Sequence, residues 1–315
     1  MRIIGTGSAL PSKIVTNKDI SQFLDTSDEW IVPRTGIHSR HVITDEKIED
    51  LGAKAARRAL EDADLESCDI DLFICSNVVS EHVTPGMSSL IAAMTGLRCP
   101  CIDINCACPG FIFAMDIAES YFLARKVHNV LIVCAEEPTR MTSWKDRSTC
   151  VLFGDGAGAA VFTTGSNLRT IKLNSEPAPE MIYQRHALMR SPYLAKPEQE
   201  IPLTMKGREV FRFAVTASLK GISDVLEANS LSKEDVSWYL IHQANLRIVD
   251  SIRGRLGVSE EKFPTNIADH GNSSSASCPI LLDECRRKGI FKKGDLLMFS
   301  AFGAGLLSAT ALMEW

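Results

Sequence analysis

Short runs of apolar, β-prone residues alternate along this chain with longer stretches whose apolar positions recur at helical spacing. The pattern predicts strands at residues 71–76, 101–105, 129–135 and 238–241, and a strand with a turn within 1–17. It predicts helices at 51–60, 88–94 and 279–287, and a long one running through Ile112, Phe113, Ala114, Met115, Ile117, Ala118, Tyr121 and Phe122. Residues 25–37 read as a short capped helix followed by a loop holding Pro33 and Gly36. A polar loop over 136–148 leads into Cys150 and the glycine-rich apolar run ending at Val161. Strands alternating with helices define an α/β architecture.

The pattern then returns. Leu60, Leu65 and Asp69 are matched by Leu226, Leu231 and Asp235, each 166 residues further on. The strands at 72–75 and 130–133 are matched by those at 238–241 and 296–299 at the same offset, and Phe153-Gly154-Asp155-Gly156 by Phe302-Gly303-Ala304-Gly305 once the polar loop is removed. A single offset held through helix, turn and strand predicts two related α/β halves, residues 1–163 and 164–315, packed about a pseudo-twofold axis. Between them, 163–202 breaks the rhythm and carries Pro177, Pro179, Pro192, Pro197 and Pro202. It is long for a plain connection, so a pocket-covering excursion over 164–206 is expected, with a solvated linker as the other reading.

The junction at 103–111, Asp-Ile-Asn-Cys-Ala-Cys-Pro-Gly-Phe, carries the first candidate chemistry. Pro109 suits a first helical position, which makes Cys108 the expected N-cap. Unpaired N–H groups and the helix dipole there favour a thiolate, and so a nucleophile. A small buried core cysteine is the other reading. The helix beyond it is apolar on nearly every face up to Ser120, Asp116 and Glu119 excepted, and belongs in the interior. The offset carries Cys108 onto Ser274, within His270-Gly271-Asn272-Ser273-Ser274-Ser275-Ala276-Ser277, so two related helix starts are expected to meet with Cys108 opposite Asn272. His242 follows the strand at 238–241, at the end where open α/β sheets place their sites. Alone, His242 reads as a structural histidine and Asn272 as a turn residue; joint placement opposite Cys108 is what raises them.

Composition trims the alternatives. Net charge is −5 with no long basic run, which argues against a nucleic-acid partner. The N-terminus lacks a signal-peptide pattern and no apolar run reaches spanning length, so a cytoplasmic chain with no membrane partner is expected. The ten cysteines include a cluster at 99, 101, 106 and 108, yet none forms Cys-x-x-Cys, and the spacing does not match paired zinc knuckles.

With these residues in view, the chain resembles the β-ketoacyl-acyl carrier protein synthase III family of thiolase-like condensing enzymes. The resemblance covers nearly the whole chain. It rests on Gly5-Thr6-Gly7-Ser8, on 25–37, 103–111 and 153–161, on His242-Gln243-Ala244-Asn245-Leu246-Arg247-Ile248, on Gly271-Asn272 and on 302–305. It implies a duplicated five-layer αβαβα sandwich, a homodimer, and condensation of an acyl-CoA primer with malonyl-acyl carrier protein to start fatty acid synthesis. No metal or redox cofactor is implied. Cys108 would be acylated, His242 and Asn272 would stabilise the enolate from malonyl decarboxylation, and the N–H groups of Cys108 and Ala304 would form an oxyanion hole. Trp30 and Arg34 would bracket the CoA adenine, with Arg147 and Thr26 at the same mouth. Arg247 and Arg212 would meet the acidic carrier protein, with Asn245 near its phosphopantetheine arm. Thr84 falls where some members place a partner-subunit Phe over the acyl pocket, so a roomier pocket and primers longer than acetyl are expected. Cys106, Pro109, Ala304 and Leu306-Leu307 also depart from the family pattern. A related acyltransferase or ketosynthase of specialised metabolism shares Cys108, His242 and Asn272. A degradative thiolase would need a second catalytic cysteine near the C-terminus, and 302–305 carries none. An intact triad argues against a non-catalytic partner subunit.

Overall fold

The computed structural model describes residues 1–185 and 201–315. The first half comprises β1 (Arg2–Ala9), β2 (Lys13–Thr16), α1 (Asn17–Ile20), α2 (Asp28–Thr35), β3 (Ser39–Val42), α3 (Ile48–Asp62), β4 (Leu72–Ser76), α4 (Met87–Thr95), β5 (Cys101–Ile104), α5 (Gly110–Leu123), β6 (Asn129–Glu136) and β7 (Gly156–Thr163). The second comprises β8 (Leu168–Ser175), β9 (Ile182–Arg185), β10 (Ile201–Met205), α6 (Gly207–Ala228), β11 (Trp238–Ile241), α7 (Leu246–Leu256), α8 (Ile267–His270), α9 (Ser277–Arg287), β12 (Leu296–Gly303) and β13 (Leu307–Glu314).

Two mixed sheets form the frame, ordered β1-β7-β6-β4-β5 and β8-β13-β12-β11. Both carry a parallel pair in the same place, β6 with β4 and β12 with β11, with antiparallel neighbours on one side of it; the first sheet adds a second parallel pair, β4 with β5. The second sheet is the first without its β5. The duplication is therefore real, and it is carried by register. β8 follows β1, and β11 follows β4, by 166 residues. In the paired strands Val130 sits opposite Leu72 and Leu297 opposite Trp238, an offset of 167 for β6 and β12.

Five layers follow from where apolar faces are buried. α3 buries Leu51, Ala55, Ala56 and Ala59, one stripe at helical spacing, against Phe73, Leu131 and Val133 on the outer face of the first sheet. α5 and α9 lie between the sheets, where Ile112, Met115 and Ile280 join Ile74 and Ile132 to Phe299 and Ala311. Phe111 spans this layer, its ring 6.4 Å from Phe162 and 6.1 Å from Phe299. α6 and α7 cover the far face through Val215, Ile222 and Ile252 against Tyr239 and Met298. Burial of such side chains stabilises by about 1.5–3 kcal/mol each, before chain entropy is set against it.

Three expectations need correction. Residues 163–202 are not all excursion: β8 lies within them and pairs with β13 as an integral strand of the second sheet. β9 and β10 form a separate two-stranded piece, and residues 186–200, with Pro192 and Pro197, lie outside the described residues. Pro33 lies inside α2 rather than in a following loop. Ser27 caps the start of this helix, and Gly36, at φ 77°, closes the end through its N–H to Val32 O. Finally, α5 is not interior along its whole length, since Leu123 is 75% exposed and Glu119 pairs with the Met1 amino group.

Candidate active site

The carboxyl ends of β4, β6, β11 and β12 converge on the starts of α5 and α9. Cys108 is not the N-cap of α5. The helix begins at Gly110 with Pro109 at the cap position, and Cys108 stands on the turn just before it. Ala107 takes a left-handed φ of 48°, and the Gly110 N–H closes the turn on Ala107 O at 3.0 Å. A sharp turn thus presents the sulfur at its tip. Two glycines let neighbours close in. A Cβ on Gly110 would meet Ser76 Oγ at 2.0 Å, and one on Gly303 would meet Cys108 N at 2.9 Å.

The thiol departs from expectation. Burial pushes it up to about 12, with the Ser274 hydroxyl pulling down and the nearby Glu136 carboxyl pushing up. The residue keeps partial exposure, but its sulfur sits at the bottom of a cavity, and desolvation there outweighs the helix terminus. The free enzyme therefore holds a thiol, which must lose its proton as it attacks.

His242 continues the β11–β12 ladder, its N–H on Ser300 O at 2.9 Å, and then turns its ring inward. Its Nδ1 lies 2.6 Å from Ser277 Oγ at the start of α9, and Phe302 meets the ring edge-on at 5.3 Å. Burial depresses its pKa to about 3, so the imidazole is neutral. Ser277 Oγ also accepts the Gln243 N–H, so its own hydrogen is available to Nδ1. That places the ring proton on Nε2 as a donor. Asn272 is fixed by N–H to Leu152 O at 2.8 Å, and its Oδ1 accepts the Ser274 N–H at 2.9 Å. The amide then offers its Nδ2 hydrogens.

One cavity of about 450 Å³ is lined by Cys108, His242, Asn272, Ser274, Phe302 and Ala304 together. Ser274 Oγ lies 3.7 Å from Cys108 Sγ, so the residues that the repeat paired in sequence do meet in space. Trp30, Arg34, Arg147, Asn245 and Arg247 line the same cavity. Two guanidiniums lie against the Trp30 ring, Arg34 at 4.7 Å and Arg147 at 4.9 Å from its centroid. The three side chains expected at the CoA mouth therefore lie against one another. Asn245 caps α7 and donates to Arg34 O at 3.0 Å, tying the two patches together. Ile182, Leu203 and Met205 from β9 and β10 cover part of the cavity.

Other candidates fall elsewhere. Arg212 lines a separate groove with Glu209 and Lys220. Thr26 precedes α2 outside the cavity lining, and its buried hydroxyl has no partner among the described residues. Thr84 is exposed and does not line this chain's cavity. Among the described residues the clustered cysteines make no metal-ligand geometry; buried Glu49 and exposed Glu81 and His82 do approach one another. Sequence reasoning missed Ser277 and Glu136. Ser277 offered no local signal. Glu136 offered one: a carboxyl ending a strand that is apolar from Val130 to Ala135.

A duplicated αβαβα sandwich with this cavity between its halves is a thiolase-like condensing enzyme, an acyltransferase. The family model for 3-oxoacyl-[acyl-carrier-protein] synthase III matches residues 102–177, and the model for that family's C-terminal region matches 226–315. The β-ketoacyl-[acyl-carrier-protein] synthase III of Clostridium acetobutylicum is 38% identical over 320 residues, covering 100% of this chain and 98% of the relative. The crystal structure of 3-oxoacyl-[acyl-carrier-protein] synthase III from Aquifex aeolicus superposes with a TM-score of 0.92 at 38% identity, covering 100% of this chain and 99% of that one. A priming β-ketosynthase of a polyketide biosynthetic pathway gives 0.92 at 34% identity, covering 99% of this chain and 95% of that one. The chain belongs to the β-ketoacyl-acyl carrier protein synthase III family, whose condensation serves fatty acid synthesis.

Proposed function

We propose that this enzyme condenses an acyl-CoA primer with malonyl-acyl carrier protein through an acyl-Cys108 intermediate. Cys108 attacks the acyl-CoA carbonyl, a thioester forms, and CoA leaves as its thiolate. Malonyl-acyl carrier protein then enters. Its carboxylate departs as CO₂, and the C–C electron pair becomes an enolate whose oxygen is held by Nε2–H of His242 and Nδ2–H of Asn272. The carbanion attacks the acyl-Cys108 carbonyl, the backbone N–H groups of Cys108 and Ala304 stabilise the oxyanion, and Cys108 is expelled. The sequence balances without a metal or redox cofactor. A neutral His242 fits it, since the second step needs a hydrogen-bond donor rather than a base.

Trp30, Arg34, Arg147 and Thr26 are assigned to CoA, and Arg247 and Asn245 to the carrier-protein arm. Arg212, outside the cavity, is assigned to the carrier-protein surface. A homodimer is the working assembly. Ten free cysteines support a cytoplasmic setting, and no helix among the described residues is long and apolar enough to cross a membrane.

The observation that carries this reading is the shared cavity of Cys108, His242 and Asn272 with two arginines and a tryptophan at its mouth. Mass analysis after incubation with acyl-CoA tests it. Wild type is expected to gain one acyl group on Cys108. Cys108→Ala is expected to gain none, yet to decarboxylate malonyl-acyl carrier protein still, because His242 and Asn272 remain. An unmodified wild-type Cys108 would end the proposal.

A further inference from the structure

Behind Cys108 lies a buried polar cluster that the chemistry above does not use. Glu136, 1% exposed, ends β6. Its Oε1 accepts from the Ser275 hydroxyl and lies 3.4 Å from Ser274 Oγ, while Oε2 accepts the Val78 N–H at 3.1 Å. Ser76 in turn donates to Ser275 at 3.0 Å. Ser274 Oγ, 3.7 Å from Cys108 Sγ, thus stands between the thiol and the carboxyl. The ionisable groups facing Glu136 are the thiols of Cys75 on β4, Cys134 on β6 and Cys108. Among the described residues Glu136 has no ion-pair partner, and a fully buried acid in that state is costly to keep for packing alone.

We propose that Glu136 is the proton acceptor for the Cys108 thiol, reached through the Ser274 hydroxyl, and that it returns the proton when Cys108 is expelled. This rests on the acyl-Cys108 reading above. As Sγ bonds to the acyl carbonyl, its S–H proton passes to Ser274 Oγ and the Ser274 proton passes to Glu136. The leaving CoA thiolate takes its proton from solvent. Glu136 stays protonated through the life of the acyl-enzyme, and in condensation the relay reverses as the C–S bond breaks. Transfer is concerted with attack, so a thiol held near 12 never has to form a free thiolate. Burial raises Glu136 to about 7, which makes it a competent base at neutral pH, whereas His242 at about 3 is a poor one. Ser274 and Glu136 are proton carriers for acylation, and decarboxylation does not call on the relay.

The test is the single-turnover rate of Cys108 acylation by acyl-CoA from pH 5.5 to 9, followed by intact mass, with malonyl decarboxylation measured alongside. Wild-type acylation is expected to rise as the carboxyl deprotonates, with a midpoint near 7. Glu136→Gln, close in shape, is expected to slow acylation tenfold or more relative to decarboxylation and to abolish that midpoint. Ser274→Ala, which leaves the carboxyl in place, is expected to do the same. A wild-type profile without a midpoint near 7 overturns the relay without any variant having to fold. So does a variant that keeps the wild-type midpoint, or one that loses both half-reactions equally. If wild-type Cys108 takes up no acyl group, the acyl-Cys108 reading fails instead.

Discussion

The electrostatics of single side chains here are set by burial more than by neighbours. Cys108 is driven up and His242 down by the same loss of solvent, so both rest uncharged in one cavity. A neutral histidine must still be held in the donor tautomer, and Ser277 is the group that does it. Ser277→Ala is expected to lower malonyl decarboxylation about tenfold, the worth of roughly 1.4 kcal/mol of a hydrogen bond, while acylation of Cys108 falls less. Steady-state release of CO₂ compared with acylation rate checks it; equal loss of both would assign Ser277 to packing. None of this was readable from sequence order. The Cys-Pro pair announced a helix start, and the structure places one there, but the depth of the sulfur depends on walls supplied by residues as distant as Ser274 and Gly303.

At the scale of elements, the site exists because the start of α5 approaches the end of β4 and the segment leading into α9 more closely than side chains ordinarily allow. Gly110 opens α5 against Ser76 at the end of β4, and the missing Cβ is the clearance. Gly110→Ala is expected to destabilise by about 1–3 kcal/mol, as overpacking does. Adding Ser76→Ala removes the atom that would sit at 2.0 Å and is expected to recover part of the loss. Urea unfolding of the single and double variants measures both. An additive double variant would show that the contact is not the cause. The elements themselves were legible where pattern and burial agree. Trp238–Ile241 was read residue for residue, since it is an unbroken apolar run and its last three residues are fully buried, even though it ends its sheet. β8 was not, because an edge strand with Arg169, Lys172 and Asn174 half outside lacks an apolar signature and is followed closely by proline. Glu136 was assigned to a polar loop for a related reason: an acid at a strand end reads as solvent-facing until the opposite half of the molecule is seen to cover it.

For the whole molecule, the repeat explains more than the fold. Its halves differ by one strand, β5, which the second half lacks and which ends the first sheet with an open edge. Ile102 and Ile104 are half-buried on that edge. The loop before α4, held to β5 by Ser88 on Asp103, carries Val83 at 94% exposure, and Leu123 stands 75% exposed at the end of α5. An unpaired edge beside exposed apolar side chains invites a second strand. A second copy of this chain is expected to meet it across a twofold axis, the self-complementary arrangement of most homo-oligomers. The same loop carries Thr84, which is exposed here and would lie against the partner. In the parallel β4–β5 register the Phe73 N–H bonds Pro100 O, so the amides of Cys101 and Asp103 point outward. A solution mass twice the 34.6 kDa of one chain is expected by analytical ultracentrifugation. Hydrogen exchange at Cys101 and Asp103 is expected to be slow in that dimer and to quicken on dilution to single chains. Fast exchange at both amides in a concentrated sample would leave β5 a bare edge. It would also leave Thr84 with no neighbouring cavity to enter, so acyl-chain preference would then have to come from this chain's own walls.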